Sequence, residues 1–108
     1  MSTPHQVVAR QLAAYNSHDI EAFCATYAED AVVHRRDGST LNGRNALRDT
    51  YAELFAKGRC RAVVTGRLTQ GDWVVDHEEA HGLSEEPVRV LVAYRVRHGR
   101  IDRVDFLG

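Results

Sequence analysis

Cysteine is almost missing from this chain: Cys24 and Cys60 are the only two. Disulfide-held secreted domains of this size are cysteine-rich, so two buried free thiols are the expectation here. Long hydrophobic runs are missing as well. No stretch approaches the roughly 18 apolar residues of a membrane-spanning helix. The opening "MSTPHQVVARQLAAYNSHDI" has no continuous apolar core, so no signal peptide is expected and a cytoplasmic location is. A basic surplus is absent too: 14 Lys and Arg stand against 15 Asp and Glu, for a net charge of −1. Nucleic-acid binding normally needs that surplus, and the dispersed basic residues form no membrane or polyanion patch. There is no Gly-rich phosphate loop, no G-x-S-x-G elbow, no internal repeat and no linker, which leaves a single domain over residues 1–108. A hydrophobic fraction of 44% with 27% charged residues suits an ordinary globular core.

One catalytic motif is present. "DHEEAHG", residues 76–82, places His77, Glu78 and His81 in the spacing H-E-x-x-H. On a helix the two imidazoles share a face and can hold one zinc ion while the glutamate activates water. On a strand they lie roughly 13 Å apart, at about 3.3 Å per residue, too far for one metal. The context points to a strand. The segment opens with Trp-Val-Val, and the connections on either side are too short for a crossover helix, although Glu78, Glu79 and Ala80 favour a helix locally. No metal site is expected.

Three helices precede that segment. Thr3, Pro4 and Gln6 form a capping-box start, followed by Val8, Leu12 and Tyr15 at helical spacing. Asp19 caps a second helix with Ile20, Phe23, Cys24 and Tyr27 as its inner stripe. "AVVHR" reads as a strand closed by the turn cluster "RDGS". Asn42 then caps a third helix that buries Leu47, Tyr51, Leu54 and Phe55 and stops at Gly58. Four β-rich segments follow: "CRAVVTGRLT", "WVVDHEEAH", "PVRVLVAYRVR" and "RIDRVDFL". Short connections make these antiparallel, giving an α+β fold in which the helices cover the apolar face of a meander. His5, His18 and His98 fall at termini or turns, where a solvated role is expected.

The phrases "AAYNSHDIEAFCATYAEDAVV", "LNGRNALRDTYAELF", "GDWVVDHEEAHG" and "VAYRVRHGRIDRVDFL", in this order, resemble the SnoaL-like branch of the nuclear transport factor 2-like superfamily, which includes ketosteroid isomerases. The resemblance covers nearly the whole chain. It implies a cone: a curved antiparallel sheet wrapped around the N-terminal helices, with a pocket between them, commonly in a dimer. It does not name a reaction, because one fold hosts enzymes and binders alike. Ketosteroid isomerases use an aspartate base with a tyrosine and a protonated aspartic acid. The same alignment puts Arg35, Gln11 and Val92 at those three positions, so that constellation is not retained.

The alignment turns Val74, Asp76, Glu78 and Ala80 inward on the second meander strand. Two inward carboxylates are costly to bury unless paired or protonated. Asp76 and Glu78 are therefore the candidate catalytic residues, and Arg35 is their expected partner, with Arg67 a further one. Two readings stay open. One carboxylate is a general base with a raised pKa, or both belong to a structural ion-pair network, the preferred reading. The implied pocket takes in Gln11, Tyr15, Tyr27, Arg35, Tyr51, Val74, Val92 and Tyr94. The three helical tyrosines are core residues whose hydroxyls could still reach it. The expected ligand is a small apolar or amphipathic molecule, with no metal or organic cofactor. Function is either acid–base catalysis or non-catalytic binding. A homodimer is expected through the sheet's outer face, where Leu91 and Ala93 lie between Arg89 and Arg95.

Overall fold

Thr3 starts the first helix as its sequence suggests. Its hydroxyl accepts from Gln6 N at 3.2 Å and its own N–H donates to Gln6 Oε1 at 3.0 Å, with Pro4 at the first helical position. The computed structural model describes residues 2–108. Helix α1 (Pro4–Asn16) and helix α2 (Ile20–Ala25) are followed by strands β1 (Tyr27–His34) and β2 (Thr40–Asn42). Helix α3 (Arg44–Ala56) then leads into β3 (Arg61–Gln70), β4 (Trp73–His81), β5 (Val88–Arg97) and β6 (Arg100–Phe106).

The sheet order is β2-β1-β6-β5-β4-β3, an open six-stranded sheet. The meander from β3 to β6 is antiparallel throughout. β1 instead joins β6 in parallel, bringing the first third of the chain against its end. That pairing has no short connection to announce it. Register shifts between Val64 and Gly66 and between Arg95 and Val96 bend the long strands. On the inner side, α1 packs against β3 to β6, and α3 against β1 and β2.

Several local expectations change. Tyr27 does not finish the stripe of α2. The helix ends at Thr26, whose hydroxyl bonds Phe23 O at 2.7 Å, and Tyr27 opens β1. Asn42 does not cap α3 either, because it ends β2. The cap position is Gly43, with φ +89° and its N–H on Ala31 O at 2.7 Å, a backbone shape that suits only glycine. Gly58 stops α3 as expected, in the left-handed region at φ +68°. His18 is no solvated turn residue, since its Nε2 lies 2.7 Å from Cys60 O. Beside it, the Asn16 side chain donates to Ala62 O at 3.0 Å and accepts from Ala62 N at 2.8 Å. Together they fasten the end of α1 to the start of β3. Cys24 and Cys60 are free and buried.

The H-E-x-x-H segment is a strand, paired along its length with β3 on one side and β5 on the other. That ladder outweighs the helix preference of Glu78 to Ala80. His77 faces outward beside Thr65, and His81 contacts Glu79 at 2.7 Å. With both imidazoles on the outer face of a strand, purified protein should contain no stoichiometric zinc, and His81→Ala should change its melting temperature little, since an exposed ion pair contributes about 0–1 kcal/mol. Elemental analysis finding one zinc per chain, lost in His81→Ala, would reject the strand geometry.

Candidate functional site

α1, α3 and the concave face of the sheet enclose a cavity of about 450 Å³. That falls in the ~300–1,000 Å³ range of small-molecule sites. All four tyrosines of the chain, Tyr15, Tyr27, Tyr51 and Tyr94, line it. The helices and the first residue of β1 supply an aromatic wall held by close ring contacts. Phe23 lies 4.8 Å from Tyr51 and 5.2 Å from Tyr27, and Tyr15 lies 5.6 Å from Phe55. Burial pushes the phenol of Tyr51 up to about 12, with Arg35 opposing, and drives Tyr15, Tyr27 and Tyr94 well above the ordinary phenol value. All four are therefore protonated donors at neutral pH.

The sheet supplies the one carboxylate set deep in this wall. Alternation along β4 points Val74, Asp76, Glu78 and Ala80 inward, as the alignment implied, and all four are buried. They do not share one environment. Asp76 is 1% exposed and held by a two-pronged fork: Arg67 Nε on Oδ1 at 2.6 Å and Arg67 Nη2 on Oδ2 at 2.8 Å. Arg67 is the residue directly across from it on β3. Glu78 has no cation within ion-pair distance among the described residues. Its partner is neutral: Tyr94 Oη donates to Oε2 at 2.9 Å. Tyr94 sits opposite Val74, two same-face rungs from the Glu78–Val90 pair, so its long side chain spans the Asp76–Val92 rung to reach Glu78. Burial raises the Glu78 carboxyl from 4.5 to about 7. The Tyr94 hydrogen bond opposes the rise, the negative charge of Asp76 adds to it, and Arg67 partly offsets it. On the helix side, Gln11 Nε2 donates to Tyr27 Oη at 3.2 Å, leaving the phenolic proton free to point elsewhere.

The expected partner, Arg35, is elsewhere. β1 and β4 are separated in the sheet by β6 and β5, and Arg35 lies just past the end of β1, exposed at the cavity mouth. Of the candidate residues, Glu78, Gln11, Tyr15, Tyr27, Arg35, Tyr51 and Tyr94 line the cavity. Asp76, Val74 and Val92 do not. They are fully buried between the sheet and the helices, at 1%, 0% and 0% exposure. The mouth residues Arg36, Asp37, Thr50 and Leu83 were not anticipated. Two of these belong to the "RDGS" turn and one to the β4–β5 connection, and loop placement leaves no periodic trace in a sequence. Among the described residues no three His, Cys, Asp or Glu side chains gather as a metal site.

The two carboxylates should respond oppositely to neutralisation. Asp76→Asn strands the Arg67 charge and should cost roughly 3 kcal/mol, the low end of the about 3–5 kcal/mol for broken buried pairs, as Arg67 is partly exposed. Glu78 has a raised folded pKa, so its charged form is penalised in the native state. That penalty is absent below about 4.5 and grows as pH rises through about 7, reaching about 3 kcal/mol at about 1.4 kcal/mol per unit. Glu78→Gln should match the parent at pH 4 and exceed it in urea unfolding at pH 8. A stability difference that stays flat between those pH values rejects the environment assigned to Glu78.

No curated protein matches the chain by sequence. Solved structures share its fold across its whole length. An uncharacterised cystatin-fold protein of Novosphingobium aromaticivorans is 20% identical with TM-score 0.88, covering 100% of both chains. A candidate polyketide cyclase of Sinorhizobium meliloti is 22% identical with TM-score 0.82, covering 94% of this chain and 93% of the other. A candidate ketosteroid isomerase of Kribbella flavida is 18% identical with TM-score 0.81, covering 95% of this chain and 75% of the other. At these identities the likeness shows the fold alone. The SnoaL-like domain family model matches residues 8–104. The chain belongs to the SnoaL-like family.

Proposed function

We propose that this protein is a cofactor-independent acid–base enzyme, of isomerase, cyclase or dehydratase type, acting on a small and mostly apolar molecule in the cavity. The observation that carries the reading is Glu78: a buried carboxyl with a pKa of about 7, lining the cavity and hydrogen-bonded only by Tyr94. A general base works best with a pKa near the operating pH. In the deprotonated state Tyr94 occupies Oε2, which leaves Oε1 to take a proton from a carbon next to a carbonyl. The C–H bond breaks, the Glu78 O–H bond forms, and the electron pair moves onto the carbonyl oxygen. Tyr27, which lines the same cavity and whose own proton is not used by Gln11, is our candidate donor to that oxygen. Returning the proton to a different carbon completes an isomerisation.

The competing reading, a non-catalytic binding domain, would be favoured by a carboxylate without polar companions. Tyr94 on Glu78, with Tyr27 in the same cavity, favours catalysis. The names of the neighbouring structures, a candidate polyketide cyclase and a candidate ketosteroid isomerase, accord with either class. A direct test is α-proton exchange of 2-tetralone in D₂O followed by NMR. The parent should exceed the buffer rate, with a pH profile rising to a plateau above about 7. Glu78→Gln should lose at least about 100-fold, the lower bound of a general base's usual contribution. Exchange no faster than buffer at pH 8 would reject the enzyme and leave the binding domain.

We also propose that two copies pair through the outer sheet face. Leu68, Val75 and Ala93 form one rung there, with Leu91 on the next, and Leu68 is 76% and Leu91 40% exposed. Arg89 and Arg95 border this apolar strip, as in many interfaces. Light scattering at micromolar concentration should give a dimer that Leu91→Arg dissociates; a monomeric parent rejects the interface.

A further inference from the structure

The cavity has a charged mouth as well as a charged floor, and the two are of opposite character. Arg35 and Arg36 both line the opening, and both are exposed. Neither guanidinium has a hydrogen-bonding or ion-pair partner among the described residues. Five other arginines, Arg48, Arg67, Arg95, Arg97 and Arg103, each hold an acidic side chain, and Arg35 and Arg36 differ from the remaining ones in lining the cavity. The one carboxylate at the mouth, Asp37, is already engaged, with Oδ1 accepting from the Ser39 N–H at 2.9 Å and from the Ser39 hydroxyl. The turn that carries the arginines is itself pinned. Arg35 N donates to Ser39 O at 2.9 Å, and Gly38 N to Arg35 O at 3.1 Å. Two unpaired cations thus stand on a fixed hairpin at the rim of an aromatic cavity. Tyr51 lines the same cavity, and the Arg35 charge acts directly on its phenol.

We propose that the substrate is an amphipathic carboxylate, whose anionic group is held at the mouth by Arg35 and Arg36 while its apolar body reaches inward to Glu78. Resting on the reading of the cavity as a small-molecule site, this fixes both ligand class and orientation. An anionic group driven to the inner end would meet Glu78 and be desolvated against it. At the mouth it keeps much of its water and gains two guanidinium donors. The carbon that loses its proton is then the one at the far end of the molecule from the carboxylate. The arginines act on binding and orientation, and no proton passes through them.

The magnitude follows from exposure. An exposed ion pair contributes about 0–1 kcal/mol, and a hydrogen bond to a charged group up to about 3 kcal/mol. Two exposed guanidiniums on a rigid turn fall between, which corresponds to about threefold to tenfold in affinity.

The test compares 2-naphthoate with 2-naphthamide, isosteric probes that differ by one charge, by isothermal titration calorimetry at pH 7 and low salt. The parent should bind naphthoate about threefold to tenfold more tightly, and raising the salt to about 1 M should erode that margin as the Debye length falls to about 3 Å. The double variant Arg35→Gln/Arg36→Gln should bind both probes alike, and Arg35→Lys/Arg36→Lys should keep a preference for the anion. Both positions carry exposed side chains, and unchanged melting temperatures confirm intact folds. Equal affinity for the two probes in the parent, or a preference that survives in the glutamine double variant, overturns the carboxylate assignment and leaves the cavity reading standing. Failure of both probes to bind, with no NMR shift changes at the cavity tyrosines, overturns both.

Discussion

Two carboxylates on one face of one strand, with a single arginine within reach, are the constraint on which this structure turns. Strand alternation puts Asp76 and Glu78 inside together, and a buried carboxylate must be paired, hydrogen-bonded or protonated. Arg67 lies directly across the ladder from Asp76, and its planar fork matches both oxygens of that group. Nothing cationic is left for Glu78. It adopts the other solution, a raised pKa with a phenol for company. The ion pair and the carboxyl without a cation are thus two outcomes of one shortage: the Asp76 charge helps to hold the Glu78 carboxyl up, while Arg67 limits the effect.

The cavity that Glu78 lines depends on how the helices are held away from the sheet. Asn16 and His18 tie the end of α1 to β3 at one side, and Gly43 lets the chain turn from β2 into α3 at the other. Between these anchors the aromatic residues of the helices pack on one another, ring against ring, while Val74 and Val92 close the core beneath. The result is a wall of phenols facing a strand with one polar group. The surroundings are apolar enough to raise a carboxyl pKa, yet contain donors that can answer a developing negative charge.

Much of this architecture was legible in the residues. The capping box at Thr3, the stop at Gly58, the alternation of β4 and β5 and the short connections between β3 and β6 are local, and local rules read them correctly. Alternation along β4 put Asp76 and Glu78 on one face, and the family resemblance implied that this face points inward. The H-E-x-x-H spacing was ambiguous only until its context was weighed. Where local reading went astray, the deciding partner was distant in sequence. Tyr27 fits the helical stripe of α2, and it opens β1 because β6 pairs there with the chain some seventy residues away. Asn42 is a good cap residue by type, but β1 claims it for the sheet.

Sequence alone therefore determined most of the helices and strands, which faces are apolar, and that Asp76 and Glu78 share one face of β4. Those properties are periodic and short-ranged. Which cation answers which acid was decided by the tertiary structure, because it depends on strand order. Arg35 looked like a partner for Asp76 and Glu78, yet two strands intervene between β1 and β4, and Arg67 on the adjacent strand takes Asp76 instead. The separation of Glu78 from every cation, its meeting with Tyr94 across an intervening rung, and the exposure of Arg35 at the mouth all follow from that order. No spacing along the chain encodes it.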